Sequence, residues 1–270
     1  MKPDDRDDKA LPADPRVAAA LAALRTRTPA RLISGRAGTS YRTQTQLELR
    51  EDHAAALDAV AAEMDLTRDL GAELVSRLNL FEVSTQARDK REYLARPELG
   101  RRLTVEAIAE IKRQCPPGAN LQIAIGDGLS AAAVAAQVPA LLPLLESGAR
   151  ARGWSFGRPF AIRHCRVGVL NDIGEALDPQ VIVLLIGERP CLATSESLSA
   201  YLAYGPRTGD TDAKRNLISN IHARGVKPTA AAERILSLAA QLRGAQTSGV
   251  AIKENIPAAT LGAPDTKLAP

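Results

Sequence analysis

Residues 181–190 are VIVLLIGERP. Six apolar residues, all Val, Ile or Leu, run straight into Gly187-Glu188-Arg189-Pro190. A membrane helix needs about 20 apolar residues, so this run is too short to span a bilayer. It shows no alternation of apolar and polar positions, so neither face of the segment meets water. A strand buried on both faces belongs to a parallel sheet with helices on both sides. Pro190 has no N–H for a ladder and stops the strand. Ligands of open α/β sheets gather outside the carboxyl ends of the strands, which is where Glu188 and Arg189 stand. A carboxylate there can accept hydrogen bonds from amide groups of a ligand. The plainer alternative is a Glu188–Arg189 surface pair.

The sequence around this strand extends it into a domain. After CPPGAN at 115–120, LQIAIGDG reads as a strand and loop. LSAAAVAAQVPALLPLLESGARARG reads as a helix broken or bent at Pro139 and Pro143. PFAIRHCRVGV is a strand, LNDIGEAL a short helix, and SLSAYLAYGP a strand or irregular extended piece. KRNLISNIHARG at 214–225 reads as a polar loop that caps its neighbours or lines a site. Pro228 and Thr229 open a clear helix over TAAAERILSLAAQLRGAQ. Strand–helix alternation over 116–254 predicts a parallel α/β sheet. Residues 14–115 carry little strand signal. Asp14 and Pro15 open a helix over RVAAALAALRTR. A glycine-containing loop follows, then helical segments at 47–64, 65–80, 85–95 and 104–114. The charged segment 1–13 reads as a disordered tail, and the Pro/Ala-rich segment 255–270 as a tail that is disordered or draped over the domain.

Composition excludes several function classes. Aromatic residues make up 3% of the chain, too few for base-stacking nucleic-acid modules. The net charge of +4 comes from mixed signs along the chain, so the sequence points to no nucleic-acid partner. No run of 18 apolar residues suggests a membrane span. Cys115, Cys165 and Cys191 form no CxxC pair, as expected for reduced thiols in the cytoplasm.

Residues 123–131, IAIGDGLSA, place Gly126-x-Gly128-x-x-Ala131 between a strand and a helix, in the order of a dinucleotide-binding fingerprint. Asp127 stands where a pyrophosphate needs a neutral or positive lip, and no acidic residue closes the next strand. A tight strand-to-helix turn is the competing reading; a nucleotide-dependent oxidoreductase is the functional alternative. His53, His164 and His222 lack metal-ligand spacing, and Ser130 and Ser197 lack a GxSxG elbow. No residue is singled out as catalytic or metal-binding.

Taken in order, GRAG at 35–38, DHAAALDAV at 52–60, DGLS at 127–130, GERP at 187–190, SESLSAY at 195–201, RNLISNIH at 215–222 and SGVAIK at 248–253 resemble the small subunit of ethanolamine ammonia-lyase. The resemblance runs from about residue 15 to 253. It implies a Rossmann-like, cobalamin-contacting domain at 116–254, preceded by helices at 14–115. It implies a TIM-barrel large subunit as partner in a hetero-oligomer. It also implies adenosylcobalamin as cofactor, and conversion of ethanolamine to acetaldehyde and ammonia by a radical rearrangement. The family's cofactor contacts map onto Val167, Glu188 and Leu217. Many relatives carry Cys where this sequence has Leu217, and Gly where it has Cys191. Some cobalamin proteins supply a lower-ligand histidine from an Asp-x-His-x-x-Gly motif, which is absent here, so the chain is expected to pack the intact nucleotide loop instead. Short N-terminal helices of related enzymes direct encapsulation in a bacterial microcompartment, a role open to RVAAALAALRTR; simple packing is the alternative.

Overall fold

The computed structural model describes residues 15–26, 30, 32, 34, 36–191 and 193–255. The expected tails at 1–13 and beyond 255, the Asp14 cap and Gly35 lie outside the described residues.

The N-terminal region is helical. It comprises α1 (Pro15–Arg25), a hairpin of β1 (Arg36–Ala37) and β2 (Ser40–Tyr41), α2 (Thr43–Ala61), α3 (Leu66–Leu70), α4 (Ala72–Leu78), α5 (Lys90–Ala95) and α6 (Val105–Gln114). Asp65, Asp89 and Thr104 cap α3, α5 and α6 by accepting backbone N–H bonds. Gly71, at φ 84°, splits the expected 65–80 helix in two. Besides the β1–β2 hairpin, which lies in the expected loop, a further strand arises where the sequence shows none: β3 (Phe81–Ser84). It pairs in parallel with β5 (Phe160–Arg163), Phe81 opposite Phe160.

The main sheet has six strands in the order β3-β5-β4-β6-β7-β8, with β4 at Leu121–Gly126, β6 at Val181–Gly187, β7 at Leu198–Tyr204 and β8 at Asn216–Ile221. The strands β3, β5, β4 and β6 are parallel, whereas β7 and β8 are antiparallel to their neighbours. The expectation of an all-parallel sheet is therefore corrected to a mixed one. The cause is connection length. A parallel return needs a crossover of about a dozen residues, normally through a helix. The link from Gly187 to Leu198 is shorter and carries no helix, so the chain can only turn back. The reading of 214–225 as a polar loop is corrected too, because Asn216–Ile221 is an edge strand. Leu198 faces Ile221 while Ala200 faces Ile218, so β8 carries one extra residue and bulges.

Two helical layers cover the sheet. The helices α7 (Ala131–Ala151) and α9 (Pro228–Ala245) pack on one face, around Ile123, Leu141, Val183, Leu202 and Ile235. On the other, α6 and α8 (Val169–Leu177) pack around Ile111, Phe160, Ile173 and Leu184. All seven residues of β6 are buried, as its sequence demanded. Pro139 and Pro143 sit inside an unbroken α7. Each proline costs roughly 3 kcal/mol in a helix. Val134, Val138, Leu141, Leu142 and Leu145 are fully buried along the same helix, and at about 1.5–3 kcal/mol each they outweigh that penalty. Among the described residues α7 is long and apolar enough to cross a membrane, but it packs here as a core helix.

Candidate functional site

The chain leaves β4 through α7 to β5 on one side, then passes through α8 to β6 on the other. This puts a topological switch point between the carboxyl ends of β4 and β6, the usual crevice for a ligand. Here the protein fills it. Asp127, 2% exposed, accepts N–H bonds from His164 at 3.0 Å and Cys165 at 2.8 Å. Lys90, also buried, lies 3.8 Å from its carboxylate and donates to the Gly128 carbonyl at 3.2 Å. Burial pushes the Asp127 carboxyl above its ordinary value, against the pull of Lys90 and the two backbone donors. Gly128 has φ 57°, and a Cβ on it would lie 2.3 Å from the Gly187 carbonyl oxygen. A Cβ on Gly187 would lie 2.1 Å from the Ser130 carbonyl oxygen. Ser130 caps α7 and donates to the Ser195 carbonyl at 2.6 Å. Gly128 and Gly187 thus admit the protein's own backbone, and the helix N-terminus is covered. This is the tight strand-to-helix turn.

Polar capacity gathers instead one strand further out, at the ends of β6, β7 and β8. Glu188 follows β6 directly. Its Oε2 accepts from the Ser197 hydroxyl at 2.6 Å. Its Oε1 accepts from the Ser199 hydroxyl at 2.5 Å and from the Asn220 N–H at 3.0 Å. Burial pushes the carboxyl up, but the two hydroxyls, the Asn220 amide and nearby His222 outweigh it and leave Glu188 below the ordinary glutamate range. The β8 bulge makes the third bond available. Asn220 sits at φ 62°, which turns its N–H toward Glu188. His222 braces it, with Nε2 2.7 Å from Asn220 Oδ1 and Nδ1 accepting from the Arg224 N–H at 3.2 Å. Nε2 therefore carries the proton, and burial, followed by Arg224, holds the imidazole pKa down.

Val167 lies in the turn after β5, half-buried against the α6/α8 side of the core. Leu217 stands opposite Tyr201 on that same face, 47% exposed. The Leu184–Tyr201–Leu217 row lies three residues from Gly187, roughly 10 Å along the strands. Val167, Glu188 and Leu217 thus share one side of the sheet without converging on a pocket. Arg189 makes no pair with Glu188, whose hydrogen bonds go to β7 and β8.

Sequence reasoning missed the role of Ser199, Tyr201 and Asn220. Spacing held a signal for two of them, because Ser197, Ser199 and Tyr201 alternate onto one face. Burial first, then Asp212 and Glu188, raises the Tyr201 phenol, so it remains a protonated donor. Its hydroxyl makes no hydrogen bond among the described residues. Arg215, 8% exposed, ties the start of β8 to Asp212 at 2.5 Å and to Asn171 of α8 at 3.0 Å. A cleft of about 510 Å³ opens between Leu49, His53 and Ala56 of α2 and Pro190 and Cys191. Burial raises the Cys115 thiol to about 11 and pushes the Cys165 thiol well above its ordinary value, so neither is a reactive thiolate. Among the described residues no cluster of His, Cys, Asp or Glu could hold a metal ion.

The sequence profile of the family described as Ethanolamine ammonia-lyase light chain (EutC) matches residues 18–253. The ethanolamine ammonia-lyase small subunit of Clostridium perfringens is 42% identical over 230 residues, which is 85% of this chain and 76% of that protein. The Clostridioides difficile small subunit is 41% identical over 240 residues, covering 89% and 80%. The Clostridium acetobutylicum small subunit is 38% identical over 233 residues, covering 86% and 94%.

Proposed function

Since the chain belongs to the ethanolamine ammonia-lyase light-chain family, we propose that it pairs with a large, TIM-barrel subunit as the small subunit of an adenosylcobalamin-dependent ethanolamine ammonia-lyase. In this reading the hetero-oligomer works in the cytoplasm, with α1 free to direct it into a microcompartment. Substrate chemistry sits in the large subunit, and this chain holds one side of the cofactor. The four parallel strands with α7 and α8 on opposite faces form its Rossmann-like part, and β7 and β8 extend that part toward the cofactor.

The observation that carries the reading is Glu188. Three protein donors fix it, yet a carboxylate can accept about four hydrogen bonds. One acceptor direction, on Oε2, is left for a ligand. The corrin rim carries neutral amides, which are donors of the right kind. Val167 and Leu217 supply apolar contact on the same side, and the Tyr201 hydroxyl supplies a donor. These residues suit a large amide-fringed ligand far better than a pyrophosphate, which the filled switch point would exclude. When bound, the cofactor supplies the radical chemistry of its cobalt–carbon bond. This chain's residues orient that cofactor and keep water from its nucleotide side.

The test is reconstitution. Ethanolamine deamination is expected only when this chain, the large subunit and adenosylcobalamin are combined. Full turnover by the large subunit and cofactor without this chain would overturn the proposal.

A further inference from the structure

We propose that Ser197 and Ser199 are positioning residues that hold Glu188 as an ionised acceptor with one lone-pair direction open, so that the site selects a neutral amide over a carboxylate. The inference rests on the cofactor reading above. Ser199 is 3% exposed and Ser197 8%, so water cannot readily replace either hydroxyl. At 2.5 and 2.6 Å, both bonds have the length of charge-assisted O–H···O⁻ contacts. Each hydroxyl has a single proton, and here both protons go to Glu188. Asn220 N–H takes the second position on Oε1. The remaining direction on Oε2 can only accept. A ligand N–H satisfies it, whereas a ligand carboxylate would bring a second negative charge against the first.

Other charged or titratable groups bear on the same carboxylate. His222 lies beyond β8 and Tyr201 on β7, Arg189 follows Glu188 in the chain, and Glu196 and Arg224 act on His222. His222 is the imidazole among them, and burial, followed by Arg224, holds its pKa below the ordinary value.

The experiment measures adenosylcobalamin affinity of the assembled enzyme against pH, by equilibrium binding. A second probe is an adenosylcobalamin analogue with one peripheral amide hydrolysed to a carboxylate. The native enzyme should lose affinity on an acidic limb as Glu188 protonates, and should bind the analogue more weakly. Ser197→Ala and Ser199→Ala should each weaken cofactor binding roughly two- to tenfold and move the acidic limb to higher pH. The limb moves because each substitution removes a donor that favours the anion. Ser197→Thr keeps the hydroxyl and should keep the native limb, which separates positioning from a packing defect. Glu188→Gln should abolish the Glu188 limb and narrow the gap between cofactor and analogue; any pH dependence left in it belongs to His222. An unmoved limb in both alanine variants, with Glu188→Gln still weakening binding, overturns the serine inference alone. If Glu188→Gln changes neither affinity, limb nor discrimination, the cofactor reading fails with it.

Discussion

Replacing Asp127 by alanine should cost the fold about 3–5 kcal/mol. The figure follows from what the carboxylate holds. The N–H groups of His164 and Cys165 both end on it, at 3.0 and 2.8 Å, in a place 2% exposed. Alanine leaves two buried donors without partners, at about 1–3 kcal/mol each. It also leaves Lys90, 8% exposed, without its counter-charge. Breaking a buried pair from one side alone costs about 3–5 kcal/mol. These costs share the same groups and do not add in full. Against a total stability of about 5–15 kcal/mol, about a fifth or more is lost. With a urea slope of about 2–3 kcal/mol/M, the midpoint should fall by roughly 1–2 M at unchanged slope. Asp127→Asn should fall between, since one of its two amide positions must face a backbone N–H. The assay is urea unfolding followed by circular dichroism, with NAD binding measured on the same samples. A loss under about 1 kcal/mol would refute the structural role given to the Asp127 carboxylate. So would NAD affinity appearing once the carboxylate is gone, because that would make GDGLSA a phosphate loop blocked only by its charge.

Gly187→Ala should destabilise the chain by roughly 2 kcal/mol or more, since the new Cβ falls 2.1 Å from the Ser130 carbonyl oxygen and backbone must shift; a wild-type melting curve would contradict the close approach. Glu188→Ala should weaken cofactor binding in the assembled enzyme roughly tenfold or more, while the rate at saturating cofactor falls much less, as separate affinity and kcat measurements would reveal. Leu217→Cys should leave cofactor affinity near normal because thiol and leucine are both apolar in behaviour. Leu217→Pro should do much worse, as it removes an N–H and restrains Asn216. Equal, severe losses in both would mean that the leucine side chain itself carries the contact.

The sequence made some elements plain and hid others for identifiable reasons. β6 was legible because burial on both faces leaves an unbroken apolar run. The helices α6, α7 and α9 were legible from caps, Pro228 and apolar period. β3 was hidden because FEVS is four residues long and lies between helical patterns, so only pairing with β5 makes it a strand. β8 was hidden because its bulge breaks the two-residue alternation and only Ile218 and Ile221 are buried. The same bulge delivers the Asn220 N–H to Glu188, so the feature that concealed the strand also builds the site. The antiparallel turn of β7 was available from the short, helix-free link after Gly187. Glu188 could be picked out as a carboxylate at a strand end. Its three donors come from residues 9, 11 and 32 positions away, and no local pattern brings such separations together.

Hydrogen–deuterium exchange of the assembled enzyme, with and without adenosylcobalamin, tests most directly where this chain meets its cofactor. Added cofactor should slow exchange in the turn at 164–168, in 187–190, and along the facing parts of β7 and β8. The loop at 126–131 should stay unchanged, because the N–H groups of Asp127, Leu129 and Ser130 are already engaged within the protein. Protection confined to 126–131, with none at Glu188 or along β8, would contradict the account and return the cofactor to the switch point between β4 and β6.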